Sequence, residues 1–150
     1  MPQSLVQNYI HIIFATKNRE AFINPPYEQE LHAYLGGFCN KLNCQVIIVG
    51  GYYDHVHILC KLSKKIALVD LIQKLKSTSS KWMKTKHESL RNFYWQDGYG
   101  VFSINANQIE MVMDYIKNQH QHHANKTFKQ EYRDFLDKYH IEYNEKYVWD

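Results

Sequence analysis

The stretch Tyr52-Tyr53-Asp54-His55-Val56-His57-Ile58-Leu59-Cys60 lies in a strongly apolar run, Val46 to Leu62, and carries two histidines separated by one valine. Read as a strand, its side chains alternate between two faces. His55 and His57 then point one way, while Val56, Ile58 and Cys60 point the other. Two neutral imidazoles side by side on a rigid strand can grip one divalent cation. The same pattern also fits a strand whose outer face carries two solvated histidines, so the pair needs a third ligand from elsewhere in the chain.

Working outward, Cys44 to Val49 is β-branched-rich, and Gly50-Gly51 marks a turn into the histidine strand, Tyr52–Leu62, which suggests a hairpin. Upstream, Leu5 to Thr16 alternates as a strand, with Ile10, Ile12 and Phe14 on one side and Tyr9, His11 and Ile13 on the other. Lys17-Asn18-Arg19 follows as a basic turn. Asn24-Pro25-Pro26 then opens a helix reaching about Lys41, with a proline tolerated in the first turn. Downstream, Leu68, Leu71, Ile72, Leu75, Trp82 and Met83 mark the buried stripe of a helix from Ala67 to about Lys86. Asn92 to Ile104 reads as short β structure around a hairpin turn at Asp97-Gly98.

The element order is therefore β-α-β-β-α-β, an α+β, ferredoxin-like (RRM-like) antiparallel sheet with helices on one face. The first and third strands are neighbours in that topology, which places His11 beside His55 and His57 on the open face. Asn105 and Gln108 have the spacing of a capping box at the start of a further helix running to about Gln121. Its core stripe is Ile109, Val112, Met113 and Ile116. Tyr115 and Gln119 share one flank, a turn apart. Thr127 and Gln130 repeat the capping spacing before a last helix to about Tyr139, striped by Phe128, Tyr132, Phe135 and Leu136. The tail, Ile141 to Asp150, is acidic and aromatic and is expected to pack onto the body of the protein.

At 150 residues the chain is expected to be one domain spanning 1–150. No apolar run is long enough for a membrane span, and Met1-Pro2-Gln3-Ser4 lacks the regions of a signal peptide. Cys39, Cys44 and Cys60 match no common disulfide or zinc spacing, so the expected location is the reducing cytoplasm. The net charge of +3 conceals an uneven distribution. Between Lys61 and Arg91 nine basic residues face two acidic ones, whereas the remainder carries nine basic and thirteen acidic. A concentrated positive segment is an electrostatic footprint for a polyanion, although a solvated lysine-rich helix face has the same composition.

His55-Val56-His57 on a strand and Tyr115-Ile116-Lys117-Asn118-Gln119 on a later helix, together with Tyr9 to Arg19 and Trp95-Gln96-Asp97-Gly98-Tyr99-Gly100, resemble the single-tyrosine HUH transposases of bacterial insertion sequences (the IS200-like family). The resemblance implies that Tyr115 is the nucleophile and that His55, His57 and Gln119 are the metal ligands. It implies Mg²⁺ or Mn²⁺ as cofactor and single-stranded DNA at hairpin-bearing transposon ends as substrate. It further implies cleavage through a 5′-phosphotyrosine linkage, rejoining without ATP, and a homodimer. Tyr52-Tyr53 departs from the smaller residue or proline of many relatives.

The chemistry suits these parts. A divalent ion acts as a Lewis acid on a phosphodiester, and a phenol with a pKa of about 10 needs a nearby cation or base to attack at neutral pH. His11, Lys17, Arg19, Lys74, Lys81 and Lys84 are the candidate DNA contacts, able to orient DNA without reading its sequence. Trp82 and Trp95 are candidates for stacking on unpaired bases, Trp82 also belonging to a core stripe. His120, His122 and His123 read as a solvated helix end or as phosphate contacts. Two alternatives remain beside the transposase: a non-catalytic single-stranded nucleic-acid-binding module on the same fold, and a zinc-dependent hydrolase using His55, His57 and a later histidine.

Overall fold

The structure, a computed structural model, describes residues 2–150, leaving only Met1 of the N-terminal stretch outside it. Four strands, β1 (Tyr9–Ala15), β2 (Val46–Tyr52), β3 (His55–Lys61) and β4 (Gly100–Ile104), form one sheet in the order β2-β3-β1-β4. Every pairing is antiparallel. With α1 (Tyr27–Lys41) and α2 (Leu68–Lys84) connecting them, this is the expected α+β ferredoxin-like arrangement. No helix among the described residues is long and apolar enough to cross a membrane.

Strand alternation decides the layering. Ile10, Ile12 and Phe14 of β1 and Val56, Ile58 and Cys60 of β3 face α1 and α2, where they meet Leu31, Leu35, Cys39, Leu71, Ile72, Leu75 and Met83 in the main core. Phe14 is fully buried, and truncating a side chain in such a position costs about 3–5 kcal/mol. The three cysteines are free and buried.

The other face is not open, contrary to expectation. It is covered by α3 (Ile109–Lys117), the short α4 (Gln119–His122) and α5 (Phe128–Lys138). Ile109, Val112, Met113 and Ile116 of α3 lie over Leu59 and Ile104. Phe128, Tyr132 and Leu136 of α5 lie over Ile13, Ala15 and Phe102, and Tyr143, Val148 and Trp149 of the tail pack against the same cluster. The physical reason is that both sides of β1 and β3 carry large apolar residues, and both must be removed from water.

Three local expectations also change. Gly50 and Gly51 lie within β2, and the turn into β3 falls at Tyr53-Asp54. The segment before β4 forms no hairpin at Asp97-Gly98. Trp95 makes an isolated bridge to Thr16, and Lys76 Nζ donates to the carbonyls of Gln96 (2.8 Å), Asp97 (3.0 Å) and Gly98 (2.6 Å). The lysine thus clamps the loop. The helix after Asn105 is broken at Asn118, where φ/ψ of −100°/25° separates α3 from α4. Both capping boxes, Asn105 with Gln108 and Thr127 with Gln130, are present.

Candidate active site

Register places the histidines. His57 pairs with Ile13 across the β1–β3 ladder, and His11 pairs with Leu59, so the side chains of His11, His55 and His57 emerge on the same sheet face. All three are buried, not solvated, because α3–α5 close over them. His11 Nε2 lies 2.8 Å from His57 Nδ1. This turns His11 from a candidate surface contact with DNA into a partner behind His57.

His55 Nδ1–H donates to Asp54 Oδ1 at 2.7 Å, which fixes the tautomer and aims Nε2 inward. Inward of His55 stand Gln119 Oε1 at 3.0 Å and Glu131 Oε1 at 3.4 Å. Glu131 Oε1 is also 3.0 Å from His57 Nε2. Gln119 Nε2 donates to Glu131 Oε2 at 3.1 Å, and the Tyr115 hydroxyl donates to the same oxygen. The expected flank of Tyr115 and Gln119 therefore does meet the histidine pair, and within one chain.

Glu131 is a functional candidate that sequence reasoning missed, and His123, read from the sequence as a solvated helix end or a phosphate contact, joins it in the cluster. Glu131, on α5, is 2 % exposed yet contacts His55, His57, Gln119 and Tyr115. His123 donates from Nδ1 to the Lys126 carbonyl, while its Nε2 lies 3.0 Å from Gln119 Oε1 and 3.3 Å from Glu131 Oε2. The solvated helix-end reading therefore fails for His123. His122 stacks on Tyr115, and His120 pairs with Glu28.

Burial would push Glu131 towards its neutral form, but His57, His123 and His55 outweigh it and hold the carboxyl far below its usual range. Burial likewise opposes a charge on His55, yet Asp54 and Glu131 overcome that and raise it to about 9. Burial lowers His57, and repulsion from His55 and His123 adds to this against the pull of Glu131. The two histidines thus move apart although both touch Glu131. Asp54, present only at His55, is the difference, and His55 holds the proton. Burial and the Glu131 charge raise Tyr115 above its ordinary value, keeping the phenol protonated in the metal-free chain.

Ligand atoms of His55, His57 and Glu131 lie within 4.8 Å of one another, and the three buried residues fit a metal site. Gln119 Oε1 stands beside them. A cavity of about 280 Å³, lined in part by His11, Tyr115, Glu131, Phe135 and Lys138, leads to this cluster between α3 and α5.

The remaining expected residues lie elsewhere. Lys17, Lys74 and Lys81 are exposed. Arg19 donates to the Trp149 carbonyl at 3.2 Å, and Lys84 lies over the Tyr94 ring at 4.0 Å. Trp95 is buried, its indole donating to Ser79 Oγ, so it is not free to stack on a base. Trp82 stacks on Tyr34.

Residues 4–119 match a family profile described as "Transposase IS200 like". The transposase for insertion sequence element IS200 of Salmonella typhimurium is 26% identical over 114 residues, covering 73% of this chain and 74% of that protein. The ISDra2 transposase TnpA of Deinococcus radiodurans is 24% identical over 115 residues, 73% of this chain and 82% of that one. Among solved structures, a Deinococcus radiodurans protein assigned as a transposase superposes with a TM-score of 0.61 at 21% identity, covering 79% of this chain and 96% of that one. A REP-associated tyrosine transposase bound to a REP hairpin gives a TM-score of 0.60 at 14% identity, with 82% of this chain and 73% of that one covered. These two structures share the fold.

Proposed function

From the premise that this chain belongs to the IS200-like transposase family, we propose that it cuts and rejoins single-stranded DNA at hairpin-bearing ends, with Tyr115 as nucleophile. The observation that carries the proposal is the meeting of Tyr115, Gln119, His55 and His57 in one buried cluster of a single chain. A nucleic-acid-binding module needs no such convergence.

In the proposed reaction the Tyr115 oxygen forms a bond to the scissile phosphorus. The bond from phosphorus to the 3′ oxygen breaks, and that oxygen takes up a proton. The phenolic proton leaves to solvent through the cavity bordering Tyr115. The aryl phosphate ester keeps the free energy needed for rejoining when a 3′ hydroxyl attacks it. His55, His57 and Gln119 would hold a divalent ion, Mg²⁺ or Mn²⁺, while His11 and Asp54 orient the imidazoles from behind. Such an ion, when bound, supplies positive charge that polarises the phosphodiester and favours a phenolate.

Lys17, Lys74 and Lys81, the exposed members of the basic set, are assigned to the DNA backbone, whereas Arg19 and Lys84 are held by the chain itself, and the solved neighbour bound to a REP hairpin supports a hairpin substrate. A homodimer acting in the cytoplasm completes the reading.

The test is a denaturing gel of the protein with Mn²⁺ and labelled single-stranded oligonucleotides carrying imperfect hairpins. A covalent protein–DNA band that needs metal and disappears in Tyr115→Phe and His57→Ala is expected. Cleavage that survives Tyr115→Phe would refute the assignment of the nucleophile, and binding without any cleavage would favour the non-catalytic module.

A further inference from the structure

We infer that Glu131 is itself a ligand of the divalent ion, an anionic fourth group supplied by α5, and that it lets the chain hold the ion before any DNA arrives. The inference rests on the proposed function and adds a residue that lies beyond the 4–119 family match.

Counting donors and acceptors carries the argument. His55 Nδ1 is committed outward to Asp54, and His123 Nδ1 to the Lys126 carbonyl. Once an ion displaces the inward proton of His55, both Nε2 atoms present lone pairs inward. Facing them are Gln119 Oε1 and the Glu131 carboxylate, which are acceptors too. Gln119 Nε2 and the Tyr115 hydroxyl are the donors turned towards this group, and both are directed to Glu131 Oε2. Glu131 Oε1 meets only the two strand histidines, at 3.0 and 3.4 Å. With that proton gone these acceptors face one another while both donors are taken up by Glu131 Oε2, and a cation would join them.

The spacing agrees. Ligand oxygens around an octahedral ion at about 2.1 Å lie roughly 3.0 Å apart along the edges. The separations between His57 Nε2 and Glu131 Oε1, and between His55 Nε2 and Gln119 Oε1, are both 3.0 Å. Two imidazoles and an amide form a neutral and rather soft set for Mg²⁺ or Mn²⁺, whereas a carboxylate oxygen is the hard, charged ligand these ions favour. With Oε1 on the ion and Oε2 on Tyr115, Glu131 also holds the nucleophile beside it.

The experiment is calorimetric titration of Mn²⁺ into the full chain without DNA, comparing wild type, Glu131→Gln and Gln119→Ala. Wild type should bind one ion, and Glu131→Gln should bind at least about tenfold more weakly while melting normally in chelator. Anomalous diffraction from Mn²⁺-soaked crystals of the unaltered chain should place the ion within about 2.6 Å of the Glu131 carboxylate. Equal affinity in Glu131→Gln, or an ion held by His55, His57 and Gln119 with Glu131 turned aside, overturns the inference and leaves the proposed function standing. A wild-type chain that neither binds Mn²⁺ nor forms the covalent adduct overturns both.

Discussion

Gly50 of β2 lies directly beneath Ile116 of α3, so closely that a Cβ at Gly50 would fall 2.6 Å from the Ile116 carbonyl oxygen. Ile116 follows Tyr115, and this contact sets how deep the tyrosine helix sits on the sheet. Gly50→Ala must push the α3 backbone outward, because a carbonyl cannot swing aside as a flexible side chain can. Overpacking of this kind costs about 1–3 kcal/mol, or roughly 2–10 °C in melting temperature for a chain of this size. Adduct formation on hairpin oligonucleotides should fall by at least about tenfold, since Tyr115 moves with its helix. A variant that melts lower yet cleaves normally would separate α3 depth from reactivity.

The same contact explains part of what was legible beforehand. The His55–His57 alternation and the neighbouring of β1 and β3 are local or topological regularities that hold in the fold, and Tyr115 and Gln119 still meet the histidines although the helix breaks between them at Asn118. Gly50-Gly51 reads as a turn in the sequence because a glycine pair looks the same whether it bends the chain or admits a neighbouring backbone. The covering of the second sheet face is a tertiary fact. The stripe of Phe128, Tyr132, Phe135 and Leu136 marks a helix but does not say where it docks. Glu131 stands three residues after Phe128 and four before Phe135, which puts a carboxylate on the apolar side of α5. That misplaced charge was the available signal for its role.

Asp54 should matter to metal binding without touching the ion. It receives the His55 Nδ1 proton at 2.7 Å, and loss of such a partner typically costs 10–100-fold in metal affinity. Asp54→Ala should therefore weaken Mn²⁺ binding by roughly that range in a calorimetric titration, with Asp54→Asn at the mild end. An unchanged affinity would mean that the ring is held well enough by its neighbours Phe128 and His123.

His32 should make the protein sensitive to mild acid. Its Nε2 is buried without a hydrogen-bond partner, and burial, followed by the charges of His120 and His57, lowers its pKa to about 4. Unfolded, the ring titrates at about 6.5. Between these values the unfolded chain binds the extra proton, so stability falls as pH drops through the window and is fully present above it. One group contributes at most about 1.4 kcal/mol per pH unit, and roughly 1–3 kcal/mol in all, because one edge of the ring meets solvent. Urea midpoints at pH 4.5 and 7 should differ less in His32→Leu than in wild type. An equal pH dependence in the two would assign the acid sensitivity to other groups.

Lys76 should be a structural cation, although it sits in the most basic part of the chain. Its ammonium donates to three successive carbonyls of the loop before β4, and Gln96 in that loop accepts from the Ala15 amide at 2.8 Å. Lys76→Met should destabilise the protein by about 1.5–3 kcal/mol, the range for hydrogen bonds to a charged group. Amide exchange at residues 96–99 should rise with it. Stability unchanged within about 0.5 kcal/mol would show that the loop holds its shape unaided.

DNA contacts should divide along the same line between committed and free cations. Lys17, Lys74 and Lys81 are exposed, whereas Lys76 is engaged by the loop carbonyls and Lys84 by Ser80 and the Tyr94 ring. Neutralising a phosphate contact on a single strand lowers the slope of log K against log salt by about 0.7 per charge. A Lys17→Gln, Lys74→Gln, Lys81→Gln triple variant should thus lose roughly 2 units of slope in anisotropy titrations of a hairpin oligonucleotide. Lys76→Met should leave that slope nearly unchanged while lowering the melting temperature. If the triple variant keeps the wild-type slope, the basic segment between Lys61 and Arg91 is a solvated helix face and the DNA follows another path across the protein.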